Sequence, residues 1–255
     1  MANTVFDNKI IEAKAKDLLL TAINTRSLMT VDTDLAEEAG MTKVINTYTY
    51  DGQAEELNSG EGNTIRGAIT HVSTPHTVKR VQANFDYTDE DFMKDNTVVD
   101  NGVAGATAIL KNKMNADFFA QCAKASHSVT GNVSYDSIVE AIAELNIEDE
   151  SKIFVVIPND KKADLRQDPD YMAARMGEVV YTGQVGTVCG IPVVASRAAD
   201  AAYVMTPEAV RLFMKKDIEA EQDRDKNTCT NTVYVRSVYV CALVDDTKIC
   251  KIVEG

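Results

Sequence analysis

The chain has 255 residues, of which 45% are hydrophobic and 25% are charged, so it is long enough to bury a core of ordinary globular composition. Its 39 acidic and 26 basic residues give a formal charge of −13, with no dense Lys/Arg cluster, which argues against a dedicated nucleic-acid-binding surface. No stretch approaches transmembrane length and no apolar signal region opens the chain, so we expect a soluble protein made in the cytosol.

The chain contains five cysteines, Cys122, Cys189, Cys229, Cys241 and Cys250, and no two of them have CxxC spacing. All but Cys229 lie in apolar or amphipathic surroundings. We therefore expect small buried thiols in a reducing cytosol, since the odd number and the spacing fit neither a disulfide framework nor a zinc site.

The first predicted element is an amphipathic helix from Asn8 to Thr25. Its apolar stripe includes Ile11, Leu18 and Leu19, and charged residues occupy the opposite side. An apolar stripe on a terminal helix must be covered. Either the body of the same chain or a neighbouring subunit is expected to pack against it.

A long β-hairpin is predicted next. Lys43 to Tyr50 alternates polar and apolar residues and is rich in Thr and Tyr, which predicts a strand, and Thr64 to Val72 resumes that pattern. Between them, Asp51 to Asn63 carries three glycines and four acids and is expected to be a flexible tip, and Pro75 is expected to end the hairpin. An isolated two-stranded ribbon is marginal in water, so this hairpin needs a partner surface. The alternative is that it forms the edge of a larger sheet.

A strand and two helices are predicted after the hairpin. Thr77 to Tyr87 alternates apolar and polar residues and predicts the strand, and Thr88 to Asp91 resembles a capping box that starts a short helix. A second helix is predicted from Thr97 to about Ala125, where apolar residues follow the helical period. At a rise of 1.5 Å per residue it is about 40 Å long, which makes it the mechanical spine of the fold.

The following segments predict an α/β unit. Its predicted elements are a polar loop at Ser126 to Asn132, a helix from Ser134 to Leu145, a strand at Lys152 to Pro158, a helix capped by Asn159 and Asp160 and ending near Arg166, a turn at Asp168 to Asp170, and strands at Gly190 to Val194 and Ala202 to Met205. The strand at Lys152 to Pro158 is almost entirely apolar, which is typical of a central strand.

The last part of the chain predicts one helix and three strands. Thr206, Pro207 and Glu208 combine three helix-start signals, so a helix is predicted from there to Lys216. The strands are predicted at Ile218 to Arg224, Asn231 to Val244 and Lys248 to Val253.

No residue pattern indicates catalysis or metal binding. His71, His76 and His127 have no metal-ligand spacing, and the serines beside His127 do not define a triad. Asp160 and Asp164 stand one helical turn apart, but a helix cap and a solvated face explain them better than acid–base catalysis. The glycines of 183–190 lack the lysine of a phosphate loop, and the acids of 219–225 lack the glycine of an EF-hand. We therefore expect no catalytic residue, no cofactor and no metal site.

Three segments carry a resemblance to a known family. Residues 183–196, GQVGTVCGIPVVAS, are similar to a recurring segment of pattern G-x-(I/V)-G-x-(I/V)-x-G-x-P-V-(V/I)-x-S. Tyr203 to Ala209 resembles the signature that follows that segment, and Val81 to Glu90 resembles the entry into a long helix. In order and spacing the chain, from about Asn3 onwards, resembles the major capsid proteins of tailed phages, which have the HK-97 fold.

The resemblance implies an α+β fold of HK-97 type with four regions. These are an N-terminal arm at 1–34 with its amphipathic helix, an extended β-hairpin loop at 35–76, a peripheral domain at 77–128 and 216–255 with the long spine helix, and an axial α/β domain at 129–215. Both arms would reach onto neighbouring subunits. Inter-subunit contacts are therefore expected from Ile11, Leu18, Leu19, Tyr48, Tyr50, Glu55, Glu56, Glu61 and Arg66.

The function implied is that of a major capsid protein of a tailed bacteriophage or prophage. Such a chain self-assembles into pentamers and hexamers of an icosahedral shell that encloses double-stranded DNA without reading its sequence. The implied partners are further copies of the chain, a separate scaffolding protein and a portal, with no membrane. The implied location is the virion capsid, after assembly in the host bacterial cytoplasm.

Two departures from relatives shape these expectations. No scaffolding extension precedes the arm, so scaffolding is expected from a separate protein. Some relatives join a lysine to an asparagine between subunits, but Lys43 is the only lysine of the hairpin and lies at its base, so no such cross-link is expected.

Other classes of protein remain as alternatives. An encapsulin-type compartment would share the fold and hold a cargo enzyme. A phage tail or decoration module and an α/β enzyme with a site built from scattered residues are the others.

Overall fold

The computed structural model describes residues 26–37, 39–174 and 186–254. The strands are β1 (Thr30–Asp32), β2 (Thr42–Tyr50), β3 (Ile69–Thr77), β4 (Lys79–Thr88), β5 (His127–Thr130), β6 (Phe154–Pro158), β7 (Thr187–Val188), β8 (Ile191–Ser196), β9 (Ala202–Met205), β10 (Val210–Asp225), β11 (Thr230–Leu243) and β12 (Ile249–Val253). The helices are α1 (Asp34–Glu37), α2 (Asp89–Lys94), α3 (Val98–Cys122), α4 (Tyr135–Leu145), α5 (Lys162–Gln167) and α6 (Pro169–Ala174). The helix predicted from Asn8 to Thr25 lies outside the described residues.

A four-stranded sheet of order β1-β10-β11-β4 carries the longest of the described strands. β10 and β11 pair antiparallel from Val210↔Leu243 to Asp225↔Thr230, with register shifts around Lys216. β11 also pairs antiparallel with β4. Alternate residues of β11 are buried because α3 packs across one face of this sheet.

The predicted spine helix is confirmed as α3, whose 25 residues are about 38 Å long. Its predicted apolar stripe is buried, with Val103, Leu110, Met114 and Phe118 each no more than 1% exposed. The predicted capping box before α2 is also present, since the Thr88 hydroxyl accepts a hydrogen bond from the Asp91 N–H at 3.1 Å.

A six-stranded sheet of order β5-β12-β9-β6-β8-β7 forms the second layer of strands. β6 lies inside it and is covered on both faces. Phe154 and Val156 face the core that contains α3, whereas Val155 and Ile157 face a second core beneath α4. Because both faces are buried, β6 is apolar throughout, and its prediction as a central strand is confirmed.

The prediction of a helix after Thr206 is wrong. Residues Thr206 to Ala209 form a turn in which the Ala209 N–H donates to the Thr206 carbonyl at 3.1 Å, and β10 begins at Val210. The backbone of this segment pairs with β11 on one side and with the short parallel strand β1 on the other. Pairing with two strands distant in sequence outweighs the local helix-start signals.

Two segments predicted as irregular belong to regular elements. The loop predicted at Ser126 to Asn132 contains β5, which adds to β12 in parallel register. The turn predicted at Asp168 to Asp170 is the start of α6. In both cases the polar composition indicated exposure correctly but not the backbone conformation.

Pro75 and Asp160 also differ from their predicted roles. Pro75 lies within β3, opposite Val44, instead of ending the hairpin. A proline is tolerated there because one edge of β3 has no partner among the described strands. Asp160 is not the N-cap of α5, because that helix begins after Lys161 and has no side-chain cap.

Candidate assembly surface

β2 and β3 form a two-stranded antiparallel sheet of their own, here called the arm, together with the loop 51–68, here called the tip. Nine residue pairs join the strands, from Thr42↔Thr77 at the base to Tyr50↔Ile69 next to the tip. At about 3.4 Å per residue the paired part is roughly 30 Å long. The predicted hairpin is confirmed, and its second strand begins later than the sequence pattern indicated.

One face of the arm is apolar and uncovered. The exposed fractions are 53% for Val44, 65% for Tyr48, 66% for Tyr50 and 69% for Ile69. These four side chains share a face, because Val44, Tyr48 and Tyr50 alternate along β2 and Ile69 is paired with Tyr50. Among the described residues, no element of the subunit packs over them. A run of this kind is typical of a surface that binds another protein.

The opposite face anchors the base of the arm to the body. Ile45 packs against a small core that contains Phe213, and the His76 ring stacks on the Phe213 ring at 5.9 Å. Burial lowers the pKa of the His76 imidazole, and the charge of Lys124 adds to this. A single buried residue, Val78, separates β3 from β4, and its N–H donates to the Met41 carbonyl at 2.9 Å. The arm is therefore fixed at its root.

Lys43 lies at the base of the arm, as its position in the sequence indicated. Its ammonium group lies 3.1 Å from the Asp34 carboxylate. The pair is partly exposed and joins the arm to α1. Lys43 thus lies at the opposite end of the arm from the tip.

The Tyr50 ring packs against two glycines where the arm meets the tip. A Cβ at Gly52 would lie 1.9 Å from the Tyr50 hydroxyl, and a Cβ at Gly67 would lie 2.5 Å from both the Tyr50 ring and the Gly52 Cα. No side chain larger than hydrogen fits at either position without moving the ring. The glycines therefore let the two backbones approach and set the direction of the exposed tyrosine.

Carboxylates organise the tip. Glu55 accepts hydrogen bonds from the Thr64 hydroxyl at 2.5 Å and the Thr64 N–H at 2.7 Å, and these lower the pKa of the Glu55 carboxyl. Glu61 accepts from the N–H and the side-chain amide of Asn58, each at 3.1 Å. Asp51 accepts from the Ala68 N–H at 2.5 Å. Three of the four predicted acidic positions of the tip thus hold its own backbone.

The predicted contact residues divide into two groups. Tyr48, Tyr50, Glu56, Glu61 and Arg66 lie exposed on the arm or its tip, and Glu55 is half-buried there. Ile11, Leu18 and Leu19 lie outside the described residues. Sequence reasoning missed Val44 and Ile69. The alternation of β2 could have indicated Val44, whereas Ile69 needed the strand register.

The residues considered for chemistry are dispersed. His127 pairs with Glu144 at 3.4 Å, and Ser126 hydrogen-bonds Asp246 instead of the neighbouring histidine. Asp164 pairs with Lys161 at 3.7 Å. Across residues 26–37, 39–174 and 186–254, no group of three or more His, Cys, Asp or Glu side chains is arranged to hold a metal ion.

The cysteines are free thiols of two kinds. Cys122, Cys241 and Cys250 are buried, as predicted, and burial raises the pKa of Cys241 to about 12 and of Cys250 to about 11. Cys229 is exposed. The prediction of burial is wrong for Cys189, which lies exposed in the turn between β7 and β8 with a φ of 51°. None of the described helices is long and apolar enough to cross a membrane.

Solved structures define the class of fold. The chain is similar to a protein from the capsid of cyanophage P-SCSP1u, with a TM-score of 0.71 and 13% identity over 89% of this chain and 86% of that one. It is also similar to the virus-like particle of Pyrococcus furiosus, with a TM-score of 0.67 and 10% identity over 97% of this chain and 100% of that one. The fold is that of an HK-97-type shell subunit, and the predicted α+β class is confirmed.

Proteins similar in sequence identify the family within this class of fold. The model of a family described as phage capsid protein matches residues 72–252. The major capsid protein of Staphylococcus phage phiMR11 is 26% identical over 244 residues, which cover 90% of this chain and 86% of that protein. Since the family match spans most of its length, the chain belongs to the phage capsid protein family. Its function is that of a tailed-phage major capsid protein, a structural component of the virion shell, and these relatives do not favour a cargo compartment.

Proposed function

We propose that the chain forms pentamers and hexamers of an icosahedral shell in which the arm of each subunit packs its apolar face on a neighbour. The observation that carries this is the uncovered face formed by Val44, Tyr48, Tyr50 and Ile69. Such side chains are costly to leave in water, and a shell supplies a cover for every copy. Ile11, Leu18 and Leu19 are proposed to act in the same way.

The proposal includes the division of the chain into regions. The N-terminal arm is 1–34, the extended loop 35–76, the peripheral domain 77–128 with 216–255, and the axial domain 129–215. Support comes from the two sheets. The first packs under α3, and the second, which forms the α/β unit, takes β6 to β9 from the axial range and β12 from the range 216–255. The border between residues 215 and 216 lies within β10. The first residues of that strand follow the turn after β9, and its last residues form the long hairpin with β11.

The wider role follows from the family. Assembly is proposed to take place in the host bacterial cytoplasm with a separate scaffolding protein and a portal, and the shell to enclose double-stranded DNA. The charge of −13 supports enclosure without tight binding of the DNA. The role is proposed to be structural and not enzymatic, as the family implies.

The test replaces the aromatic part of the apolar face. Tyr48→Ser with Tyr50→Ser is expected to leave a folded subunit with an unchanged urea midpoint but to abolish closed particles, as measured by light scattering and negative-stain microscopy of the full chain with its scaffolding protein. Met93→Ser is the control, because Met93 is 83% exposed on α2, away from the arm. Particles of normal mass from the double variant would refute the role of the arm.

A further inference from the structure

The root of the arm contains a histidine whose ring packs on the body. The His76 ring, near the end of β3, stacks on the Phe213 ring at a centroid distance of 5.9 Å and an interplanar angle of 16°. Lys43, its partner across the hairpin, and Ile45 are alternate residues of β2, so all three side chains face the body. His76 is half-buried, whereas His71, earlier on the same strand, is exposed. The imidazole is therefore one of the contacts that hold the arm in place.

The charged groups around this imidazole are mostly cationic. Lys43 lies directly opposite His76 on the same face of the hairpin, and its ammonium group lies 3.1 Å from the Asp34 carboxylate. Lys124, just beyond the end of α3, contributes a positive charge near the ring. Lys215 of β10 donates to a backbone carbonyl of α1 at 3.3 Å and to one just before β2 at 2.5 Å. Three ammonium groups and one carboxylate, from four parts of the fold, thus lie around the root.

Protonation of the imidazole is unfavourable while the arm is docked. The core that contains Phe213 is otherwise aliphatic and includes Val238 and Val240 of β11. A charged ring loses hydration against this core and faces the like charge of Lys43 across the hairpin. Burial, followed by the positive charge at the end of α3, lowers the pKa of His76 from its ordinary value of 6.5. The face of an aromatic ring attracts a cation, but the lowered pKa shows that burial and like charge outweigh this attraction.

We infer that His76 is a pH-sensitive anchor, whose protonation releases the root of the arm from the body. The neutral ring gains by stacking on Phe213, whereas the charged ring gains by returning to water. Because the folded pKa lies below 6.5, the stability of the docked root is greatest above that pH. It falls as the pH drops from 6.5 towards the folded value. The release concerns a single subunit, and its consequence that acid weakens assembly through the arm rests on the proposed function.

A titration of the unassembled full chain tests the release. Histidine-labelled protein reports the His76 imidazole by NMR, and the Ile45 methyl signal reports docking, because Ile45 packs on the core that contains Phe213. Between about pH 7.5 and about pH 5, we expect the methyl signal to shift with the same midpoint as the imidazole, below 6.5. His76→Gln should abolish this shift. His71→Gln is the matched control on the same strand and should leave the shift unchanged.

A second variant acts on the anchor without replacing it. Lys124→Gln removes a positive charge near the imidazole, so it is expected to move the midpoint of both signals towards 6.5. Lys94→Gln is its control, because that side chain is 74% exposed on α2, away from the root. If His76 contributed packing alone, its replacement could loosen the arm, but the pH midpoint would not respond to a charge at the end of α3.

Assembly of the full chain with its scaffolding protein tests the consequence. We expect the wild type to need at least a threefold higher subunit concentration for half-assembly at about pH 5.5 than at about pH 7.5, and His76→Gln to need the same concentration at both. If the Ile45 signal does not follow the imidazole, or if acid affects the wild type and His76→Gln alike, the inference is overturned and the shell function stands. If the wild type forms no particles at either pH, the proposed function is overturned, and the titration of single subunits still decides the inference.

Discussion

β11 and β2 are both strands in which apolar and polar residues alternate, yet their apolar faces end in different surroundings. In β11, Val233 and Val235 are fully buried beneath α3, and hydrogen bonds join the strand to β10 on one side and β4 on the other. In β2, Tyr48 and Tyr50 are about two-thirds exposed, and β3 is the one strand that pairs with it among those described.

The difference lies in what covers each face. Period-two alternation identifies an apolar face, because successive side chains point to opposite sides of a strand. It does not identify the covering surface. For β11 that surface is a helix of the same chain, whereas for β2 no described part of the same chain supplies one. A strong strand pattern without a cover within its own subunit is therefore a sign of assembly.

The largest expected effect is on the free energy of unfolding. It comes from replacing a buried aromatic residue, with an exposed aromatic residue of the arm as the comparison. Phe118 is fully buried and its ring lies 5.0 Å from that of Phe119, so Phe118→Ala should cost about 3–5 kcal/mol of unfolding free energy. Tyr48→Ala should change it by less than about 0.5 kcal/mol. Urea unfolding of the isolated subunits measures both. A comparable loss from Tyr48→Ala would show that the arm packs on its own body.

An effect of intermediate size is expected at two glycines of α3, one of which faces a packed side chain whereas the other faces open space. A Cβ at Gly102 would lie 2.3 Å from the Phe85 ring, so Gly102→Ala should destabilise by about 1–3 kcal/mol. Gly105 has nothing within 4 Å of that position, and Gly105→Ala should stabilise by about 0.5–1 kcal/mol because alanine favours a helix. Thermal unfolding distinguishes them. Equal shifts in one direction would contradict the packing of Phe85 on α3.

The smallest expected effect is the pH dependence of one carboxylate in each region. Hydrogen bonds lower the pKa of Glu219, mainly from Arg236, and the pKa of Glu55, mainly from Thr64, from an ordinary value of 4.5. Since the folded pKa values lie below the unfolded ones, the stability that Glu219 contributes to the body, and that Glu55 contributes to the local structure of the tip, is present above pH 4.5 and lost as the pH falls through the folded value.

Protonation of Glu219 and protonation of Glu55 should affect different properties of the subunit. Protonation of Glu219 should lower the urea midpoint slightly, and Arg236→Gln should flatten that dependence. Protonation of Glu55 should shift the NMR signal of the Thr64 amide without any change in the global midpoint. A midpoint that followed the Thr64 signal would instead couple the tip to the body.

Much of the body could be predicted from its sequence because its signals are local or strongly periodic. The stripe of α3, the capping box at Thr88 and the apolar run of β6 each contain their own evidence. The helix predicted after Thr206 was wrong because its start signals are local, whereas the pairing of Val210 to Met214 with β1 and β11 is not visible within a short window.

The assembly surface could be predicted in part for the same reason. Tyr48 and Tyr50 follow from alternation, but Ile69 joins them only through the register of the hairpin. Tyr50 and Ile69 lie 19 positions apart in the sequence, and no spacing rule links two strand residues across a loop of that length.

The single residue between β3 and β4 has a mechanical consequence. In the proposed shell, tension on the arm from an adjoining subunit would pass through Val78 along a continuous backbone into β4. The ten residues of β4 pair with β11 from Lys79↔Tyr239 to Thr88↔Thr230. A pull along β4 therefore loads this ladder in shear, so that many hydrogen bonds resist together instead of opening one after another. If the arm binds a neighbour as proposed, we expect the continuity of β3 with β4 to stiffen the wall of the shell against stretching.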